Sequence, residues 1–267
     1  MPYADNEGIC IYYEVEGEGP PLVLTHGLSD SLEGWREYGF VGVLKREHRL
    51  ILIDARGHGA SDNPHDPQAY GLEQMPADVV AVLDALGIDE AHYFGYSLGG
   101  WIGLGLAKYA PERVRSLVIG GAQPYGQSME LFRQALGQGI EGWVAVVEKM
   151  LGSPASPKMK ERFRSNDVQA LLASVTNDRP DISDIIPTMI MPCLLYAGDA
   201  DPRCPLVERC ATELSDARFF SLPTLNHFQV VVRSDLVLPH VVEFLARPEP
   251  ARSEPVGGGL LQSSHEW

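Results

Sequence analysis

Ser97 stands between two glycines in Gly95-Tyr96-Ser97-Leu98-Gly99, directly after an apolar run and directly before a stretch of helical character. A serine hydroxyl is a weak nucleophile until a base takes its proton, and the base in turn needs an acid to orient it. The G-x-S-x-G spacing sets such a serine on a sharp strand-to-helix turn with its hydroxyl exposed, because bulk at the flanking positions would collide with strand and helix. In a chain with 27 glycines the bare pattern is only moderate evidence. The strand before it and the helix after it strengthen it. A helix beginning at Leu98 also aims unpaired N–H groups and its positive dipole end at the serine oxygen, where an anionic intermediate would form.

The partners should follow in the order acid, then histidine. His227, in Leu-Asn-His-Phe, is the only histidine between Ser97 and His240, and His240 falls inside a helical segment as an exposed or packed residue. His227 is therefore the expected base. For the acid, Asp199 and Asp201 compete in Gly-Asp-Ala-Asp-Pro, both in the turn after a strand, at the sheet edge where open α/β folds bind ligands. Asp201 is the choice; Asp199 reads as a turn carboxylate bonded to nearby backbone N–H groups. Two N–H donors for the oxyanion are expected from the backbones of Leu98 and Leu28, the latter in the loop after an apolar strand. His26, in that same loop, reads as a hydrogen-bonded structural residue. Trp35, Tyr96, Trp143 and Phe228 are candidate walls of a substrate pocket, with Trp101 considered beside them. With His227 as base, kcat/KM should rise through a pKa between about 6 and 7.

The elements that must position these residues alternate from Gly8 to about Arg247: short β-branched runs, then longer amphipathic ones, the pattern of a mostly parallel sheet flanked by helices. Strands are expected at 9–16, 22–25, 50–53, 92–94, 116–119, 193–196 and 218–221, and helices at 35–47, 72–86, 98–109, 206–214 and 236–245. Between 122 and 186 the alternation fails and only helical periodicity persists, in Met-Glu-Leu-Phe-Arg-Gln-Ala-Leu and three later stretches. This predicts a helical cap inserted into a core of residues 1–121 and 187–247. Residues 248–267, rich in Pro, Gly and Ser, read as a disordered tail.

Composition narrows the partners. Lysine and arginine number 21 against 36 aspartates and glutamates, a formal charge of -15, which argues against nucleic acid and anionic lipid as partners. A small neutral molecule fits better. The start lacks the basic segment and apolar stretch of a secretory signal, and no apolar run approaches the roughly 18 residues of a membrane span, so the chain reads as cytoplasmic. The four cysteines show no C-x-x-C spacing; Cys204 and Cys210 are near enough in sequence for a disulfide, but an intracellular chain keeps them as thiols. There is no H-E-x-x-H and no phosphate-loop motif, so neither metal nor cofactor is expected, and no oligomeric state is implied.

Taken together, Thr-His-Gly-Leu-Ser-Asp (25–30), Asp-Ala-Arg-Gly-His-Gly-Ala-Ser-Asp (54–62), Gly-Tyr-Ser-Leu-Gly-Gly (95–100), Gly-Asp-Ala-Asp-Pro (198–202) and Asn-His-Phe (226–228) resemble the α/β-hydrolase fold superfamily. The likeness is nearest to its small carboxylesterases, enol-lactonases and cofactor-free haloperoxidases or perhydrolases. It implies Ser97 as nucleophile, Asp201 as acid, His227 as base and the Leu28 and Leu98 amides as oxyanion hole. It also implies a cap after the sixth strand, here short enough for acyl chains of modest length. It speaks against haloalkane dehalogenases and epoxide hydrolases, which carry aspartate at the Ser97 position. Arg56 and His58 fall in a turn that is structural in most members. The expected activity is hydrolysis of a small, largely neutral ester or lactone. A slow-turnover ligand-binding or signalling protein on the same fold, or a C–C hydrolase or perhydrolase with the same triad, are the alternatives.

Overall fold

The structure is a computed structural model that describes residues 2–247; the tail expected over 248–267 lies outside the described residues. Eight strands form one sheet: β1 Tyr3–Asn6, β2 Ile9–Glu16, β3 Pro21–Thr25, β4 Arg49–Ile53, β5 Ala91–Tyr96, β6 Val114–Gly120, β7 Cys193–Gly198 and β8 Ala217–Leu222. Their order is β1-β2-β4-β3-β5-β6-β7-β8. The pairs involving β2 are antiparallel and the others parallel. Parallel strands need crossovers that cover both faces of the sheet, so the central strands are buried on both sides. In β5 and β7 every residue is buried.

The helices are α1 Leu32–Glu37, α2 Phe40–Leu44, α3 Gln74–Ala85, α4 Leu98–Tyr109, α5 Glu130–Gly137 and α6 Gly139–Leu151. They continue as α7 Pro157–Arg164, α8 Val168–Val175, α9 Cys204–Glu213, α10 His227–Val231 and α11 Ser234–Leu245. Alternation along the strands divides the core. Val23, Ile51, Tyr93 and Leu195 face α3, α4 and α9, while Leu22, Leu24, Leu52 and Phe94 face α1, α2 and α11. Between β6 and β7 the chain leaves the sheet for α5 to α8, which share a separate apolar cluster around Leu136, Trp143, Phe163 and Leu171. Among the described residues no helix is long and apolar enough to cross a membrane, and the four cysteines are free thiols.

Three elements depart from the sequence pattern, α10 among them, since no helix is expected at His227–Val231. The helix expected over 35–47 is two short ones, begun earlier at the Ser31 cap and broken by Gly39, whose φ of 91° lies in the left-handed region. The first strand, β1, was not expected. It joins β2 through Glu7 and Gly8, both at positive φ (53° and 86°), the turn geometry that matches strand twist. Glutamate is uncommon in that conformation, so Glu7-Gly8 carries no conventional turn signal.

Arg56 and His58 have structural places. Arg56 is buried, donating to both carboxylate oxygens of Asp78 at 2.6 and 2.5 Å and to the Ala69 carbonyl at 2.7 Å. Asn6 adds a 2.8 Å bond to Asp78, tying β1 to α3. His58 is fully buried, and that burial, with His26 beside it, pushes its pKa down to about 3, so it is neutral. Breaking a buried pair by removing one partner costs about 3–5 kcal/mol, because the other charge stays buried alone. Arg56→Met should therefore lower stability by about that amount in urea unfolding, and Arg56→Met with Asp78→Leu should regain most of it. A double variant as unstable as the single one would place the loss in packing instead.

Candidate active site

Ser97 sits between β5 and α4 with φ 54° and ψ −105°, a conformation that costs an L-residue roughly 1–3 kcal/mol. Neighbouring backbone holds it there. Ser97 N donates to Gly120 O at 2.8 Å, Gly99 N to His26 O at 3.0 Å, and Trp101 N to Ser97 O at 2.9 Å. The flanking glycines follow from the same closeness. A Cβ on Gly95 would lie 2.2 Å from Gly99 O, and one on Gly99 2.0 Å from Thr25 O, both backbone atoms that cannot move aside.

The turn after β7 and the loop after β8 bring up the two partners. Asp201, at the C-terminal edge of β7, directs Oδ2 at His227 Nδ1, 2.9 Å away. His227 Nε2 lies 2.9 Å from Ser97 Oγ. His227 is the first residue of α10, whose Asn226 cap accepts bonds from Phe228 N and Gln229 N and so fixes the angle at which the imidazole leaves the helix. The Tyr96 ring lies 5.2 Å from that imidazole, and its hydroxyl donates to the His227 carbonyl at 2.5 Å. Gly121, at φ 61°, leaves room on another side: a Cβ there would come within 2.8 Å of His227 Cε1. Asp199 is elsewhere, accepting a bond from Thr224 N in the loop after β8 at 2.6 Å, and so ties two loops together instead of bracing its own turn. His26 holds its own loop, with Nδ1 2.8 Å from Gly27 O and Nε2 accepting from Ala55 N. His240 packs its ring on Phe220.

Electrostatics sets the protonation states. All three side chains are buried. Burial lowers the His227 pKa to about 4, with the positive charge of Arg203 adding to the effect and Asp201 opposing it. This displaces the range of about 6–7 expected for an ordinary imidazole. Burial raises the Asp201 pKa, but the hydrogen bond to His227 and the charges of His227 and Arg203 outweigh it, and the carboxyl is held well below the usual carboxylate range. At neutral pH the arrangement is an ionised acid, a neutral imidazole with its proton on Nδ1, and a free Nε2 lone pair facing the serine hydroxyl. That arrangement can take the serine proton.

A cavity opens over Ser97 and His227. Leu28, Tyr96, Trp143 and Phe228 line it, as do Phe132, Val147, Met159 and Phe163 from the insert between β6 and β7. An adjoining cleft shares Phe132, Trp143, His227 and Phe228 and runs out past Arg203 and Gln127. Trp35 corrects the sequence expectation. It does not line the cavity but is buried in the core, packed edge-on against Phe40 and close to Phe94, because its position in α1 faces the sheet. Trp101 lies beneath Arg179, outside this cavity.

The amides of Leu28 and Leu98 donate no hydrogen bond to any group among the described residues. Leu98 is the first residue of α4, and the Gly27 backbone passes Ser97 so closely that a Cβ on it would be 3.6 Å from Ser97 Cβ. Arg203 is the site residue that the pattern of types and spacings did not single out. Its Nε and its backbone N both reach Asp201 Oδ1, at 2.9 and 3.0 Å. Its place two residues beyond Asp201 was the available signal. Of the walls from the insert, Trp143 was legible as a candidate and Phe132, Val147, Met159 and Phe163 were not, since amphipathic periodicity does not say which partner an apolar stripe meets. Among the described residues no group of three His, Cys, Asp or Glu side chains is placed to hold a metal ion.

Residues 20–174 match the family model described as the alpha/beta hydrolase fold. The chain is 40% identical over 119 residues, 45% of its length, to a protein of Azorhizobium caulinodans provisionally named a carbamate hydrolase. That match spans 43% of the relative, less than half its length. It is 34% identical over 259 residues to the dihydrolipoyllysine-residue acetyltransferase component of an acetoin cleaving system from Pseudomonas putida, covering 88% of this chain and 66% of that one. Among solved structures, the enol-lactonase of Burkholderia xenovorans LB400 superposes with a TM-score of 0.79 at 25% identity, over 92% of this chain and 100% of that one.

The charge around His227 yields a direct expectation. In a proton NMR titration its imidazole should give a midpoint near about 4. Arg203→Met, which removes a nearby positive charge, should move that midpoint upward. A wild-type midpoint in the ordinary histidine range would reject this description of the site.

Proposed function

Since this chain belongs to the α/β-hydrolase fold family, we propose that it hydrolyses a small, largely neutral carboxylic ester or lactone through an acyl-enzyme on Ser97. The observation that carries this reading is the unbroken chain from Ser97 Oγ to His227 to Asp201, with 2.9 Å at each link, on the floor of an apolar cavity. In this mechanism His227 Nε2 takes the Ser97 proton as Oγ attacks the acyl carbon. Asp201 stays ionised and stabilises the imidazolium that forms. The oxyanion receives the N–H groups of Leu28 and Leu98 and the positive end of α4. Collapse expels the alcohol, or the lactone's own hydroxyl, which takes its proton from His227. His227 then deprotonates water, and attack on the acyl-enzyme frees the acid and regenerates Ser97.

We take residues 122–186 as the cap over the substrate. Its aromatic and aliphatic side chains offer no fixed cation to an acyl group, which supports a neutral chain of modest length. The enol-lactonase likeness supports a lactone within the substrate class. The relative provisionally named a carbamate hydrolase adds a carbamate to the compounds worth testing.

Wild-type protein should hydrolyse 4-nitrophenyl acetate and butyrate, or a small lactone, faster than 4-nitrophenyl octanoate, and Ser97→Ala should abolish the turnover. No turnover on any ester, lactone or carbamate of such a panel would overturn the assignment. With the His227 pKa pulled down by burial to about 4, kcat/KM should stay level from neutral pH down through the ordinary histidine range and fall only as Nε2 protonates near that value. An acid limb at about 6–7 would contradict it. Asp201→Asn should cost roughly three to four orders of magnitude in kcat, and Asp199→Asn little. The reverse result would exchange the two aspartates.

A further inference from the structure

The loop that carries Leu28 is fastened by side chains from the helical insert. Ser29, the next residue, holds a φ of 64°, a conformation an unbranched L-residue adopts only when its surroundings impose it. Its hydroxyl accepts the indole N–H of Trp143, on α6, at 2.6 Å. Its carbonyl accepts Asn166 Nδ2, just beyond α7, at 2.8 Å. Asp30 follows, with Oδ1 receiving Arg162 Nε from α7 at 2.8 Å and Oδ2 receiving the Tyr38 hydroxyl at 2.9 Å. The Trp143–Ser29 bond is buried, so neither group has water as an alternative partner. The same indole forms part of the cavity wall.

We propose that Trp143 is a positioning residue: its indole N–H, through Ser29, sets the Leu28 amide where the oxyanion forms, so that the insert supporting the substrate also assembles the oxyanion hole. The inference rests on the acyl-enzyme reading above. A donor displaced from its place stabilises the transition state less while leaving ground-state binding nearly intact, so the loss falls on kcat and spares KM. It also falls on any ligand that reproduces the tetrahedral anion. Butylboronic acid is such a probe: boron accepts the Ser97 oxygen, the serine proton passes to His227, and the anionic adduct presents a B–O group to the same amides.

Trp143→Phe keeps an aromatic wall and removes only the N–H donor; Ser29→Ala removes the acceptor. Each should lower kcat for 4-nitrophenyl butyrate roughly tenfold, change KM by less than about twofold and weaken butylboronic acid by the same factor as kcat. The double variant should be no slower than either single one, since both remove one bond. Three results would overturn the inference: unchanged kcat and boronate inhibition in Trp143→Phe, a rise in KM alone, or losses that multiply in the double variant. A wild type that neither hydrolyses the ester nor is inhibited by the boronate would instead overturn the hydrolase reading, a different result from an active wild type with unaffected variants.

Discussion

Ser97 holds a backbone conformation that an L-residue avoids, and the tight contact of three parallel strands keeps it there. β5 delivers the chain to the turn, β3 lies so near that Gly99 can carry no side chain, and the end of β6 accepts the Ser97 amide. Relaxing the turn would mean parting the central strands, whose side chains are buried on both faces. The strain is thus balanced by the cohesion of the whole sheet. It lifts the hydroxyl clear of the sheet edge, where His227 at the start of α10 can reach it.

A second constraint is dielectric. His227 is buried with an ionised carboxylate on one side and cationic Arg203 near that carboxylate. The carboxylate holds the ring's proton on Nδ1, while burial and Arg203 oppose a second proton on Nε2. The result is an imidazole that stays a free base well into acid. Although the protein carries a formal charge of -15, the positive charge of Arg203 offsets part of the field of Asp201 at His227.

The insert between β6 and β7 has an apolar cluster of its own, and directed bonds tie it to residues 29, 30, 37 and 38 and, at α10 and its cap, to Gln229 and Asn226. Those bonds fall on the segment after β3 and on α10 with its cap, and not on the sheet. An element that packs internally and bonds to loops and helix ends around the sheet can differ in its walls without disturbing the turn beneath it. Relatives of such different names sharing this fold accord with that division.

The sequence by itself determined the sheet-and-helix alternation, the serine turn, which aspartate and which histidine meet beside it, and the helical character of the insert. Each of these is local: a glycine spacing, a two- or 3.6-residue period, or a residue type just past a strand. Tertiary structure decided what depends on distant atoms meeting. It turned Trp35 into the core, where α1 faces Phe40 and Phe94, and Trp143 toward Ser29, 114 positions away in the chain. It split the helix expected at 35–47, because Gly39 takes a left-handed φ that no periodicity records. It also lowered the His227 pKa, since burial and the nearness of Arg203 are properties of a folded neighbourhood and not of a residue's place in the chain.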